Sequence, residues 1–411
     1  MMRFCNYLIG QFVNVTTCAS ILIGTISSLS LLFFHASCSR PKVDQDHTKS
    51  SQQTDLHLKV SMFHLKSELD ELLPFILNPK EFHKTTQVQK LSEKLANLRK
   101  ISQQVSHEPA IQAQDPVLKF LSQGFQDEIN RSYEAFQMGH REYARISLLN
   151  VSAFCIECHT RTQSGPSLHF GVAKEVWASM RPIDQLDYLV ATRQFDEARK
   201  LAEKIVKEGL TSQTNVFDLD RAVRLGLLVT VRYDQNPDHA LALVNALLSS
   251  KSLPFYLKAS ALSWKNHIHR WKLEGGSAVA PKDPLALARS LANRMSSANT
   301  QDRYFEIEMM RIQALLNPYI THTNLSRDQL GEALYLLGSS YEVTKDLATW
   351  SLHENYYEAC IRQVPNSAWA KRCYEAYEKS IYAGYTGSRG TFIPPEVESK
   401  LKELKKLTTS K

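Results

Sequence analysis

Residues 141–160 read REYARISLLNVSAFCIECHT. Ala144, Leu148, Val151, Cys155 and Cys158 recur at steps of four and three, so they line one face of a single helix. Three earlier stretches carry the same stripe. The first is Leu58, Met62, Leu65, Leu69, Leu72 and Ile76; the second Val88, Leu91, Leu95 and Leu98; the third Leu118, Leu121, Phe125, Ile129 and Phe136. Asp115 and Pro116 supply a cap and first-position residue for the third helix, Gly139 suits its end, and Pro79 helps stop the first. Four amphipathic helices on short connections predict an antiparallel four-helix bundle over 55–163. The expected fold class is all-α.

The rest of the composition agrees. The chain has 411 residues, 43% apolar and 22% charged, with only 15 Gly and 15 Pro. That is length for two or three domains, and it argues against collagenous, disordered or many-turned β chains. The net charge of +7 is uneven. Basic and acidic residues balance over 55–161, whereas Lys400, Lys402, Lys405, Lys406 and Lys411 face only Glu403 over 400–411, which reads as a basic solvated tail. No Lys/Arg stripe of the nucleic-acid kind occurs elsewhere, so no nucleic-acid partner is expected.

After Arg3 no charged side chain appears until Arg40, and residues 19–34, ASILIGTISSLSLLFF, are an apolar run. This is the pattern of an export signal over 1–38 and places the mature protein in the periplasm or cell envelope of a bacterium. His35-Ala36-Ser37-Cys38 resembles a bacterial lipobox, which makes Cys38 a candidate for lipid attachment. Cleavage nearby and retention as a signal anchor are the alternatives. These are the membrane contacts the sequence suggests. Polar residues 39–54 read as a flexible linker.

The motif Cys155-Ile156-Glu157-Cys158-His159 has a chemical reason for its spacing. Two thiols three apart on a helix lie on one side and can form thioethers to the two vinyl groups of one haem, while the adjacent imidazole takes the iron as proximal ligand. Attachment of this kind is extracytoplasmic, in keeping with the signal. A thioredoxin-like pair would need a βαβ setting, and a zinc site a second ligand pair; neither is present in the sequence. A plain disulfide is the remaining alternative.

Helices in this order, ending in Cys-x-x-Cys-His, resemble the cytochrome c-prime family over residues 55–163, about a quarter of the chain. The resemblance implies one covalent haem c and a distal side facing the first helix. There a Met gives a six-coordinate iron, and an apolar residue leaves it open to small gases. Met62, on the core stripe of the first helix, is the candidate distal ligand. His64 lies about 200° around the helix from Met62, and His57 is also off the stripe; both are lesser candidates. The family usually has an aromatic residue soon after the motif, where this chain has Thr160-Arg161-Thr162-Gln163. Arg161 reads as a solvated residue at the helix end, with a haem propionate as the alternative partner.

The stretch 163–167, QSGPS, breaks the pattern. Beyond it short amphipathic helices alternate with turns over 168–399. Leu334, Leu337, Gly338 and Tyr341, with Tyr357, Cys360 and Pro365, resemble a tetratricopeptide repeat, as does 185–209 with Ala198 at the crossing. The expected architecture there is an α-solenoid of helix pairs offering a concave surface to a protein partner; an irregular helical domain is the alternative. Cys360 and Cys373 lie level on adjacent helices, as a disulfide or as two buried thiols. The Gly-rich loop 385–391 lacks a phosphate-loop pattern and reads as a capping or docking turn. His267 and His269 read as surface or packed residues.

The leading expectation is a monohaem c-type cytochrome that transfers electrons and docks a redox partner through its helical array. The alternatives are a five-coordinate sensor or scavenger of nitric oxide or carbon monoxide, and a scaffold in which the haem is secondary. No nucleophile–base set is apparent, so an electron carrier or binding protein is favoured over an enzyme.

Overall fold

A computed structural model describes residues 45–108, 115–161, 172–212, 214–250, 252–276, 281–297, 304–322, 324–344 and 352–408. The expected signal segment with Cys38, the start of the linker and the whole of the break at 163–167 lie outside the described residues. The first helices are α1 (Gln45–Ile76), a single turn α2 (Pro79–Phe82), α3 (Val88–His107), α4 (Pro116–Gln137) and α5 (Arg141–His159). One expectation is corrected: 45–54 is the start of α1 and not coil. The stretch QDHTKSSQQT holds neither Gly nor Pro, and nothing in it opposes helix propagation back from the amphipathic part.

Helices α3, α4 and α5 run antiparallel in turn. Ser106 donates to Gln126 at 2.6 Å and Arg99 to Asn130 at 3.0 Å, while Gln137 reaches back to Ser92 at 2.6 Å. Asp115 caps α4 through Val117 N at 2.9 Å. At its other end Gly139 takes φ +85°, with His140 N on Ala135 O and Gly139 N on Phe136 O, the left-handed turn that glycine accepts without strain. Gly124 fits α4 against α5, because a Cβ there would meet the Phe154 ring at 2.7 Å. α1 lies antiparallel to α3 and α5 through Lys94–Glu71, Ser61–Glu108 and Arg145 on the Ile76 carbonyl at 2.9 Å.

The remaining helices are α6 (Lys174–Ser179), α7 (Pro182–Ala191), α8 (Phe195–Glu208), α9 (Val216–Leu227), α10 (Pro237–Leu248), α11 (Phe255–Leu273), α12 (Pro284–Ser297), α13 (Glu306–Tyr319), α14 (Arg327–Val343), α15 (Leu352–Gln363), α16 (Ala368–Gly384) and α17 (Pro395–Lys406). α9 runs on into a π-helical turn, Leu228–Tyr233. Successive members pack as neighbours from α7 to α8, α10 to α11 and α12 through α16. The loop 385–391 is an exposed hairpin that pairs Thr386 with Thr391. The expected basic tail is corrected too. Residues 395–406 form α17, which buries Leu401 and Leu404 and pairs Lys400 with Glu358 and Glu403 with Arg362. Among the described residues no helix is long and apolar enough to cross a membrane.

Residues 48–411 form one compact unit with two apolar cores. The first joins α1, α3, α4 and α5 (Leu72, Leu91, Leu121, Val151, Phe154) to residues far along the chain (Leu337, Tyr356, Tyr374, Leu404). α15 packs directly on α4. The second gathers α7 to α11 around Leu186, Val223 and Trp264. Two helices stand between the cores. α5 gives Val151 and Phe154 to the first and Ile156 to the second; α13 gives Met309 and Ile312 to the first and Ile307 and Met310 to the second. A helix buried all round must satisfy every polar side chain it carries. α13 meets much of this demand by pairing Glu308 with His267 at 2.6 Å, Arg311 with Glu274 at 3.1 Å and Gln313 with Thr344 at 2.8 Å, although Arg311 Nη1 and the Glu308 oxygens make no hydrogen bond of good geometry. His267 is thus a packed residue, and His269 is exposed.

Cys360 on α15 and Cys373 on α16 are joined by a disulfide, with Cα atoms 6.3 Å apart and a sequence separation of 13. A loop of this length predicts that replacing both cysteines by Ala, or reducing the bond, lowers stability by about 2–3 kcal/mol. Urea midpoints measured with and without reductant check this, and identical midpoints would contradict it.

Candidate functional site

The last turn of α5 carries Cys155, Cys158 and His159. Both cysteines are free thiols, half-buried and packed against the first core. The Cys155 thiol donates back to Val151 O at 3.8 Å. Burial pushes Cys155 up to about 11 and Cys158 well above the ordinary thiol value, so both stay protonated at neutral pH. The intervening residues face elsewhere: Ile156 enters the second core and Glu157 is buried among charges.

His159 is held at two points by the turn after α7. Its Nδ1 lies 2.6 Å from Ala191 O, and its own carbonyl accepts from Arg193 Nη1 at 2.9 Å. A carbonyl can only accept, so Nδ1 carries the proton and the lone pair is on Nε2. Burial lowers the imidazole to about 4, with the nearby Arg193 adding to the effect, and the ring is neutral at pH 7. Two protonated thiols on one side of a helix and a neutral imidazole with a free Nε2 form a donor set that fits covalent haem. Among the described residues no three His, Cys, Asp or Glu side chains gather as a site for a bare metal ion.

Met62 is half-buried and packs on the same core as Cys155 and Cys158. Its level follows from the antiparallel run of α1 and α5. From the Arg145–Ile76 contact, 159 − 145 = 14 residues up α5 reaches His159, and 76 − 62 = 14 residues back along α1 reaches Met62. At about 1.5 Å per residue the two lie at a similar height. His57 and His64 are exposed.

Beneath the motif lies a buried cluster of charges. Arg161, whose side chain is 0% exposed, pairs with Asp115 at 2.5 Å and donates to the hydroxyls of Tyr341, at 2.7 Å, and Tyr356. Its guanidinium also lies over both rings, which stack 5.3 Å apart. Arg232, in the π turn, pairs with Glu157 at 3.0 Å and reaches Thr160 and Gln313. Burial opposes the charge on Arg161, but Asp115 and the tyrosines around it hold its pKa well above the ordinary arginine value. The reading of Arg161 as a solvated helix end is therefore corrected: the chain folds back over it, and Asp115 is its ion-pair partner.

Sequence reasoning singled out the motif and Met62, read Asp115 as a helix cap and Tyr341 as a repeat residue, and missed their part in the buried cluster together with Glu157, Arg193, Arg232 and Tyr356. The one available signal was Arg232, a lone cation closing the apolar run 225–231, LGLLVTV. The chain matches no family model, and comparison with curated proteins and with solved structures returned no similar one.

Removing one partner of a buried ion pair strands the other. Arg161→Met is expected to cost about 3–5 kcal/mol, and adding Asp115→Asn, which keeps a capping side chain, to recover a good part of it. Denaturant unfolding of the two single variants and the double variant checks this. Additive losses would show that the pair is not coupled.

Proposed function

We propose that this protein is an exported monohaem c-type cytochrome of the bacterial cell envelope that passes electrons to a protein partner. The observation that carries the reading is the state of His159, whose Nδ1 is tied to Ala191 O and whose neutral Nε2 is left to bind a metal, one residue after a helical pair of free thiols. Cys155 and Cys158 are assigned as the thioether positions, His159 as proximal ligand and Met62 as distal ligand. Haem c supplies a one-electron iron couple when bound. The protein's part is to orient the imidazole, keep the thiols together and surround them with packed apolar side chains. With haem bound, the Met62 thioether would supply a soft ligand of the kind that suits electron transfer. The helical array from α7 onward is assigned the docking of the partner, and the N-terminal segment export, with Cys38 the lipid site if the chain is anchored.

Coexpression with cytochrome c maturation is expected to give a protein that keeps one haem through denaturation, and Cys155→Ser with Cys158→Ser to abolish that retention. A wild-type protein without covalent haem would overturn the reading. The ferric and ferrous spectra are expected to be low-spin and slow to take up carbon monoxide. Met62→Ala should convert them to high-spin, with immediate carbon monoxide binding. A wild type already high-spin would remove Met62 from the iron and select gas binding over electron transfer.

A further inference from the structure

Helices α4 and α7, like α11 with Gly275, end in the same hydrogen-bond pattern, and α7 differs in the residue at the key position. After α4 the pattern is His140 N on Ala135 O and Gly139 N on Phe136 O; after α7 it is Gln194 N on Leu189 O and Arg193 N on Val190 O. The left-handed residue is Gly139 in the first, exposed and with open space around it. In the second it is Arg193, at φ +62° and 6% exposed. A side chain at such a position strains the backbone, and glycine is its usual occupant. The arginine is held there by what its side chain reaches. Its guanidinium lies over the rings of Phe195 and Tyr233 at 5.4 and 5.5 Å, and Nη1 donates to the His159 carbonyl.

We propose that the turn between α7 and α8 is a positioning element for His159. Arg193 holds the end of α5 against the turn so that Ala191 O keeps the imidazole in the orientation and tautomer that present Nε2. The assignment rests on the cytochrome reading above. The hold is specific to one residue, because ring and main chain of His159 are each bound by the same turn, two residues apart. It also caps the helix: the His159 carbonyl is among the last of α5 and has no partner within the helix. On the other side Arg232 fixes Glu157 and Thr160. The motif is thereby held from two directions by the region beyond the bundle.

The test uses the full-length, haem-loaded protein with 15N-labelled histidine in the ferrous state, and reads solvent exchange of the His159 Nδ1–H. Arg193→Gly relieves the backbone and removes the guanidinium. It is expected to accelerate this exchange roughly tenfold, the equivalent of one net hydrogen bond, while backbone amides of α4 exchange as in the wild type. Arg193→Lys keeps a cationic donor and is expected to restore part of the protection. Wild-type exchange in Arg193→Gly, or equal acceleration of the α4 amides, would overturn the proposal. If Arg193→Gly does not fold, Arg193→Lys decides alone: exchange faster than wild type supports the hold, and unchanged exchange refutes it. Absence of haem from the wild type would overturn the cytochrome reading, whereas retained haem with unchanged exchange overturns only the positioning.

Discussion

Two arginines buried at one point organise this protein. Arg161 and Arg232 are nearly inaccessible, and isolated charges there would be costly to desolvate. Asp115 and Glu157 neutralise them one for one, and the hydroxyls of Tyr341 and Tyr356 take up further donors, while the Nε of each arginine is buried without a hydrogen bond. The groups come from the start of α4, the end of α5, the π turn, α14 and α15, with Gln313 of α13 alongside. None of these helices can move far without leaving a buried charge unpaired. Asp115 also caps α4, so the same carboxylate fixes where that helix begins. A buried ion pair is weak evidence for net stability. Stability comes from the two apolar cores, and the charges select one way of bringing them together.

The consequence for the site is that all five residues of the motif have an assigned direction. Cys155 and Cys158 face the first core, Ile156 the second, Glu157 the arginines, and His159 the turn after α7. On a helix those directions differ by about 100° per residue, so a single helix can serve all of them only where neighbours surround it. α5 is such a helix. Groups on a rigid element locked by packing and by a further layer of hydrogen bonds keep their geometry better than groups on a loop. The two thiols are thus half-buried beside a fixed imidazole, a setting that an isolated surface helix would not provide.

Much of the local structure was legible in the sequence because it is set by local chemistry. The stripes at Leu58–Ile76, Val88–Leu98, Leu118–Phe136 and Ala144–Cys158 lie within α1, α3, α4 and α5, and the Asp115-Pro116 and Gly139 signals mark the ends of α4. What was not legible depends on contacts between distant residues. Arg161 looks like any cation after a helix, and only Tyr341 and Tyr356, 180 and 195 positions on, make it a buried one. α17 reads as a basic tail because its lysines outnumber Leu401 and Leu404, yet two leucines three apart suffice to seat it. The left-handed Arg193 breaks the glycine rule that served at Gly139, and no sequence rule announces such an exception. The motif was legible since it is local; its surroundings were not.

This division also bears on what counts as the functional unit. The break at 163–167 suggests a haem bundle that could stand by itself, with an array attached for docking. The contacts argue otherwise. The imidazole of His159 is oriented by a carbonyl 32 positions later, and the first core takes Leu337, Tyr356, Tyr374 and Leu404 from beyond the break. A chain cut at that break would expose Ile156 and the faces those residues cover. It would also lose Arg232 from Glu157 and the two tyrosines from Arg161, leaving the end of α5 to find water instead. Hydration would satisfy the charges but not the geometry, since water holds neither the tautomer of His159 nor the angle of its ring. The array is therefore part of the site before it is a surface for any partner, and the site belongs to the whole folded chain.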